Sequence, residues 1–158
     1  DPRRKLVRLS SDVYNGRSLA ALGVAAHECG HAMQHSQGYA PLAIRNAIVP
    51  VASIGSRAAF PLFFFGLILR AEFFMTLGIL MFSAAVVFQL FTLPVEYNAS
   101  NRAVAVLEGS GFISSDEVAP VKQVLGAAAL TYVAATLMSM MQLLRLIIIS
   151  GGNRNSRR

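Results

Sequence analysis

The segment His27-Glu28-Cys29-Gly30-His31 sets two histidines four residues apart, with a glutamate directly after the first. On a helix, positions four apart share one face and are separated by about 6 Å along the axis. Two imidazoles so placed can bind one tetrahedral zinc ion. Glu28 is offset around the helix. From there it can act on a metal-activated water as a general base and pass the proton to a leaving amine. Three fixed residues in this pattern arise by chance in a chain of this length well under about 1% of the time. The plain alternative is a helix that merely carries ionisable groups. The run before them is Leu19-Ala20-Ala21-Leu22-Gly23-Val24-Ala25-Ala26. Burying unpaired ionisable groups beside such a segment would be expensive.

Two protein ligands do not complete a catalytic zinc site, which commonly has three plus an open position. His35 lies eight residues beyond His27, about 12 Å along the same helix, too far to share the ion easily. The elongated pattern with a further Gly and His after the second histidine is absent, because those places hold Gln34 and Gln37. A distant carboxylate is the remaining source. Glu96 directly follows a charge-free apolar stretch, and a carboxylate at that point asks for a partner. Its plain alternative is ordinary interfacial charge. Glu108, Asp116 and Glu117 sit in polar context, and Glu72 lies between two apolar stretches. Ser100, one turn after Glu96, and Asn98 and Arg102 are candidates to orient a ligand or hold an oxyanion. For Arg102 a lipid-facing charge is an equal reading.

A helix from Leu19 to Gln37 must present the motif. Ser18 is its N-cap, and Gly38 and Pro41 close it. Asn15-Gly16 reads as a turn, and residues 1–10 as an extended segment. Three apolar stretches follow, near 47–69, 73–95 and 124–149. Crossing a bilayer takes about 20 apolar residues, which the last two meet. The first carries Pro50, Arg57 and Pro61. It reads as a broken span, or as an interfacial helix plus a shorter one. If the first two stretches form a hairpin, the His27 and Glu96 segments face one compartment, whereas Glu72 faces the other. A helix up to Leu107, a Gly109-Ser110-Gly111 break and a short helix capped by Ser114-Ser115-Asp116-Glu117 separate the second stretch from the third.

Composition agrees with this. Of 158 residues 54% are hydrophobic and 14% charged, against about 25% charged in soluble domains. The net charge of +6 is concentrated at Arg3, Arg4, Lys5 and Arg8 and at Arg154, Arg157 and Arg158. These are read as membrane-flanking charge; no helix-turn-helix or aromatic platform argues for nucleic acid. Cys29 is the single cysteine, so neither an intrachain disulfide nor a cysteine-only zinc cluster is available. The start at Asp1, without Met, is read as the loss of an N-terminal piece.

Taken together, Asp1-Pro2-Arg3, Leu9-Ser10, Val13-Tyr14, Gly23-Val24-Ala25-Ala26-His27-Glu28, Gly30-His31-Ala32 with Gln34, Thr92-Leu93-Pro94-Val95-Glu96 with Ala99-Ser100-Asn101-Arg102-Ala103, and Thr131-Tyr132-Val133-Ala134-Ala135 resemble the YugP-type membrane proteases, the neutral zinc metallopeptidase family. The resemblance implies His27, His31 and Glu96 as zinc ligands and Glu28 as general base. It is also similar to the gluzincin arrangement of HtpX and the CAAX prenyl proteases, with Ser100 where those carry an Asp. It implies a missing N-terminal anchor, and residues 1–10 as an edge strand taking substrate backbone by β-addition. Counting positive charge leaves sidedness ambiguous, and the resemblance favours a cytoplasmic site. The expectation is one mainly α domain over residues 1–158. It has an active-site helix, two to three transmembrane helices and a short N-terminal edge strand. The expected function is a membrane-embedded zinc endopeptidase acting on proteins or peptides. The rival is a zinc-binding membrane protein without proteolytic activity, an assembly or accessory factor.

Overall fold

The structure, a computed structural model, describes residues 4–155. Five helices account for it in chain order: α1 (Ser11–Tyr14), α2 (Leu19–Ser36), α3 (Ala40–Ile68), α4 (Glu72–Gly109) and α5 (Val118–Asn155). The mainly α expectation holds. Helices α3, α4 and α5 are each long and apolar enough to cross a membrane. The short edge strand is not formed: no described residue is in a strand. A strand persists by pairing its N–H and C=O groups with a neighbour, and these helices satisfy their own. Ser10 is locally extended (φ −64, ψ 157), but it then caps α1, its side chain accepting from the Val13 N–H. Residues 1–3, Arg157 and Arg158, and the side chain of Arg154 lie outside what the structure describes.

Helix α2 matches its expected span to within one residue. The Ser18 side chain accepts from the Ala21 N–H at 3.1 Å, satisfying one of the open donors of the first turn. Gly38 follows the helix end at φ +63, a conformation that glycine adopts without strain. Pro41 lies beyond the end of α2, as expected, in the first turn of α3, where a missing N–H costs nothing. Helix α3 then runs unbroken through Pro50 and Pro61, which corrects the reading of the first apolar stretch as broken. Each proline removes one intrahelical hydrogen bond, and the remaining ladder of the 29-residue helix is retained. Arg57 does not interrupt it and is exposed. Helix α4 likewise passes through Pro94, so the second apolar stretch and the polar residues 98–107 form one 38-residue element. The helix foreseen after Ser114 is a 38-residue helix, not a short one. Glu117 Oε2 accepts from both the N–H and the hydroxyl of Ser114 at its entrance.

The chain forms two compact units, Asp1–Ile44 with Leu93–Tyr132 and Arg45–Thr92 with Val133–Arg158. In the second, Ala59, Phe63, Met75, Phe82, Val86 and Leu146 make a core. Gly78 lets α4 close on α3, since a Cβ there would lie 2.7 Å from the Ala59 carbonyl oxygen. In the first unit, Ala26 of α2, Ala103, Val104 and Leu107 of α4, and Val118, Val121 and Leu125 of α5 pack together. Two glycines of this unit differ sharply. A Cβ on Gly30 would sit 2.3 Å from the Ala99 carbonyl oxygen, whereas one on Gly126 would meet open space. Gly30→Ala should therefore force α2 from α4 and destabilise by about 1–3 kcal/mol. Gly126→Ala should stabilise by up to about 1 kcal/mol through helix propensity. Thermal melts of the two detergent-solubilised variants check the pair, and equal melting temperatures would contradict the close approach.

Candidate metal centre

Helix α2 carries His27 and His31 one turn apart, their ring centroids 4.8 Å from each other and nearly perpendicular. Facing them is the stretch of α4 after Pro94. The contact of Gly30 with the Ala99 backbone sets how near the two helices come, and it places Glu96 between the rings. Glu96 Oε2 lies 3.2 Å from His27 Nε2 and 3.4 Å from His31 Nε2. One ligand atom from each of the three residues fits within 4.8 Å of the others. Glu96 is 2% exposed, and both histidines are partly buried.

This donor set fits a zinc ion. Two imidazole nitrogens and one carboxylate oxygen are a known catalytic zinc set that leaves a further position open. A carboxylate buried beside two imidazoles also calls for positive charge, because burying an uncompensated anion is costly. Among the described residues this is the group of three or more His, Cys, Asp or Glu side chains able to hold a metal. Glu28 is exposed on the same helix. His35 is exposed and belongs to no such group. Glu72, Glu108, Asp116 and Glu117 stand apart from it. The hydrogen bond from the Ser114 side chain, then the Asp116 backbone, holds the exposed Asp116 carboxyl below its ordinary value.

Behind the rings, each Nδ1 has a neighbour. His27 Nδ1 lies 3.0 Å from Ser100 Oγ. His31 Nδ1 lies 3.0 Å from Gln34 Oε1. The Gln34 amide in turn donates to the Val95 carbonyl and to Asn98 Oδ1, each at 2.9 Å. Arg102 Nε donates to that same Asn98 oxygen at 2.7 Å, and its Nη1 donates to Gln37 Oε1. The guanidinium stands over the Tyr39 ring, 5.7 Å from its centroid. Thus Ser100 touches a histidine directly, while Asn98 and Arg102 reach one only through Gln34. Arg102 is engaged with polar partners and an aromatic ring.

Gln34 and Gln37 were not singled out as site residues from the sequence: both served to exclude a longer zinc motif, and Gln34 also entered the family resemblance. A signal did exist for Gln34: it is a polar residue one turn after His31, on the side of α2 that must be buried. An open groove of about 430 Å³ runs between α4 and α5 in the same unit. It reaches Ser100 and Tyr97 at one end and Glu108 and Lys122 at the other, with Gly126 in its wall.

Residues 1–151 match the family described as "Putative neutral zinc metallopeptidase". The chain is 52% identical over 149 residues to the "Putative membrane protease YugP" of Bacillus subtilis (strain 168). That match covers 94% of this chain and 66% of the relative, so the chain spans slightly less than two thirds of the relative's length. No solved structure matches the chain. With a family match that runs almost from end to end, the chain belongs to the family described as "Putative neutral zinc metallopeptidase".

Proposed function

We propose that the chain is the catalytic part of a zinc-dependent membrane endopeptidase. The observation that carries this reading is the convergence of His27, His31 and Glu96 within 4.8 Å, with Glu28 exposed directly beside the first of them. His27, His31 and Glu96 would hold the ion. Bound there, zinc would polarise the scissile carbonyl and make the attacking water more acidic. Glu28 then takes the proton of that water and delivers it to the amine nitrogen as the peptide bond breaks. Ser100 holds His27 from behind, so that its Nε2 stays aimed at the shared centre. The substrate is a protein or peptide, and the partner surface is the lipid bilayer, which the three long apolar helices would enter. The site would face the cytoplasm of the cell membrane.

The rival, a zinc-binding protein without proteolysis, needs the three ligands but has no use for Glu28. Glu28→Gln should therefore keep stoichiometric zinc and lose about 10²–10⁴-fold in peptide hydrolysis. Metal analysis beside cleavage of a fluorogenic peptide or of casein checks this, and undiminished cleavage would refute the role of Glu28. Glu96→Ala removes a buried carboxylate between two imidazoles, so zinc content should fall well below one ion per chain. Full zinc retention would remove Glu96 from the ligand set.

Sidedness has its own handle in Cys29, which is exposed beside Glu28. A membrane-impermeant maleimide should label Cys29 in inverted membrane vesicles and spare it in intact cells. Labelling of intact cells would place the site on the outer side.

A further inference from the structure

A neutral imidazole carries one N–H, and which nitrogen holds it decides whether the other can bind a metal. At His31 the contact with Gln34 decides between the two. Gln34 is completely buried, and its side chain lies within reach of three groups: His31 Nδ1, the Val95 carbonyl and Asn98 Oδ1. Amide orientations are assigned from the hydrogen-bond network, and here both ends of the network are unambiguous. The Val95 carbonyl can only accept. The Arg102 guanidinium can only donate, so the Asn98 atom that it meets at 2.7 Å must be the oxygen.

Turning the Gln34 amide over would set its oxygen against two other oxygens at 2.9 Å. Turning Asn98 as well would set a nitrogen against the Arg102 N–H and leave the Val95 clash in place. The Gln34 amide hydrogens therefore point at Val95 and Asn98, and its oxygen points at His31. That oxygen requires a hydrogen on His31 Nδ1. His31 Nε2 is then bare, and its lone pair faces Glu96 Oε2 at 3.4 Å. A bare ring nitrogen and a carboxylate oxygen then face each other across that gap, which a cation can bridge. At His27 the partner is a hydroxyl, which can donate or accept, so no tautomer is imposed there.

We propose that Gln34 is a positioning residue for metal binding: braced by the Val95 carbonyl and by the Asn98–Arg102 pair, it fixes His31 in the Nδ1–H tautomer, the form that presents Nε2 to the ion. The proposal rests on the zinc-site reading above. It adds that one ligand is set in its binding form before the metal arrives, through a relay whose outer members never touch a histidine.

The test uses the full chain in detergent. Nitrogen-15 spectra of labelled histidine, recorded before zinc addition at a pH where His31 is neutral, should show a protonated Nδ1 and a bare Nε2 at His31. Gln34→Met, which keeps the volume without the amide, should release that preference. It should also weaken zinc binding about 10- to 100-fold in competition with a chelator, and shift the visible bands of the cobalt-substituted protein. Asn98→Leu should act in the same direction without touching His31, whereas Asn98→Asp, which still accepts from Gln34 and Arg102, should bind zinc more tightly than Asn98→Leu. Should Gln34→Met fail to fold by circular dichroism, the Asn98 pair carries the decision.

An Nε2–H tautomer at His31 in the wild type overturns the proposal. Unchanged zinc affinity in both Gln34→Met and Asn98→Leu does so as well. A wild-type chain that shows the Nδ1–H tautomer yet takes up no zinc overturns the functional reading instead, so the two failures are distinguishable.

Discussion

Everything at the centre hangs on how near α4 comes to α2. Gly30 has no side chain, and any Cβ in its place would drive into the Ala99 carbonyl. That missing atom lets the carboxylate of Glu96 reach both imidazoles with a single oxygen. The same contact brings Ser100 behind His27, and Val95 and Asn98 around Gln34. Widening the gap by the radius of a methyl group would separate all of these together. The glycine within the motif is thus a packing residue, and the approach it permits brings His27 and His31 to Glu96.

A buried carboxylate is costly unless something compensates it. Glu96 has two imidazoles against it, and the imidazoles are held from behind by partners of different kinds. Ser100 offers His27 a hydroxyl that can take either role. Gln34 offers His31 a carbonyl oxygen whose direction is dictated by a backbone acceptor and a guanidinium two groups away. The partner of His27 can donate or accept, whereas the partner of His31 only accepts. Arg102 closes this network by reaching Gln37, and it stands over Tyr39, at the C-terminal end of α2. The end of the motif helix is therefore tied to the helix that supplies the carboxylate.

Helix continuity gives these contacts a firm base. Glu96, Asn98, Ser100 and Arg102 all lie on α4, past Pro94, on the same helix as an apolar window long enough to cross a bilayer. In apolar surroundings a broken helix leaves backbone groups without partners, which disfavours interruption even where proline removes one N–H. The same reasoning applies to α3 with its two internal prolines.

Much of the centre was legible in the residues themselves. The four-residue spacing of His27 and His31 is a property of any α-helix, and the Ser18 cap and the glycine and proline after Gln37 fixed that helix to within one residue. Glu96 could be singled out because a carboxylate ending a charge-free stretch is unusual in its own neighbourhood. The edge strand, the broken first span and the short helix after Ser114 were misread for one reason: local signals such as proline and alternating charge report intrinsic preference, while pairing partners and the demand for internal hydrogen bonding decide the outcome. Gln34 could be noticed as a polar residue on a buried face, but what it does lay beyond sequence reasoning for a different reason. Its role needs a backbone carbonyl and an asparagine 61 and 64 positions away, and no spacing within α2 encodes them. The sequence alone determined which atoms could hold a metal. Only the tertiary structure decided which way each of those atoms faces, because a tautomer is chosen by partners that the fold assembles from both helices.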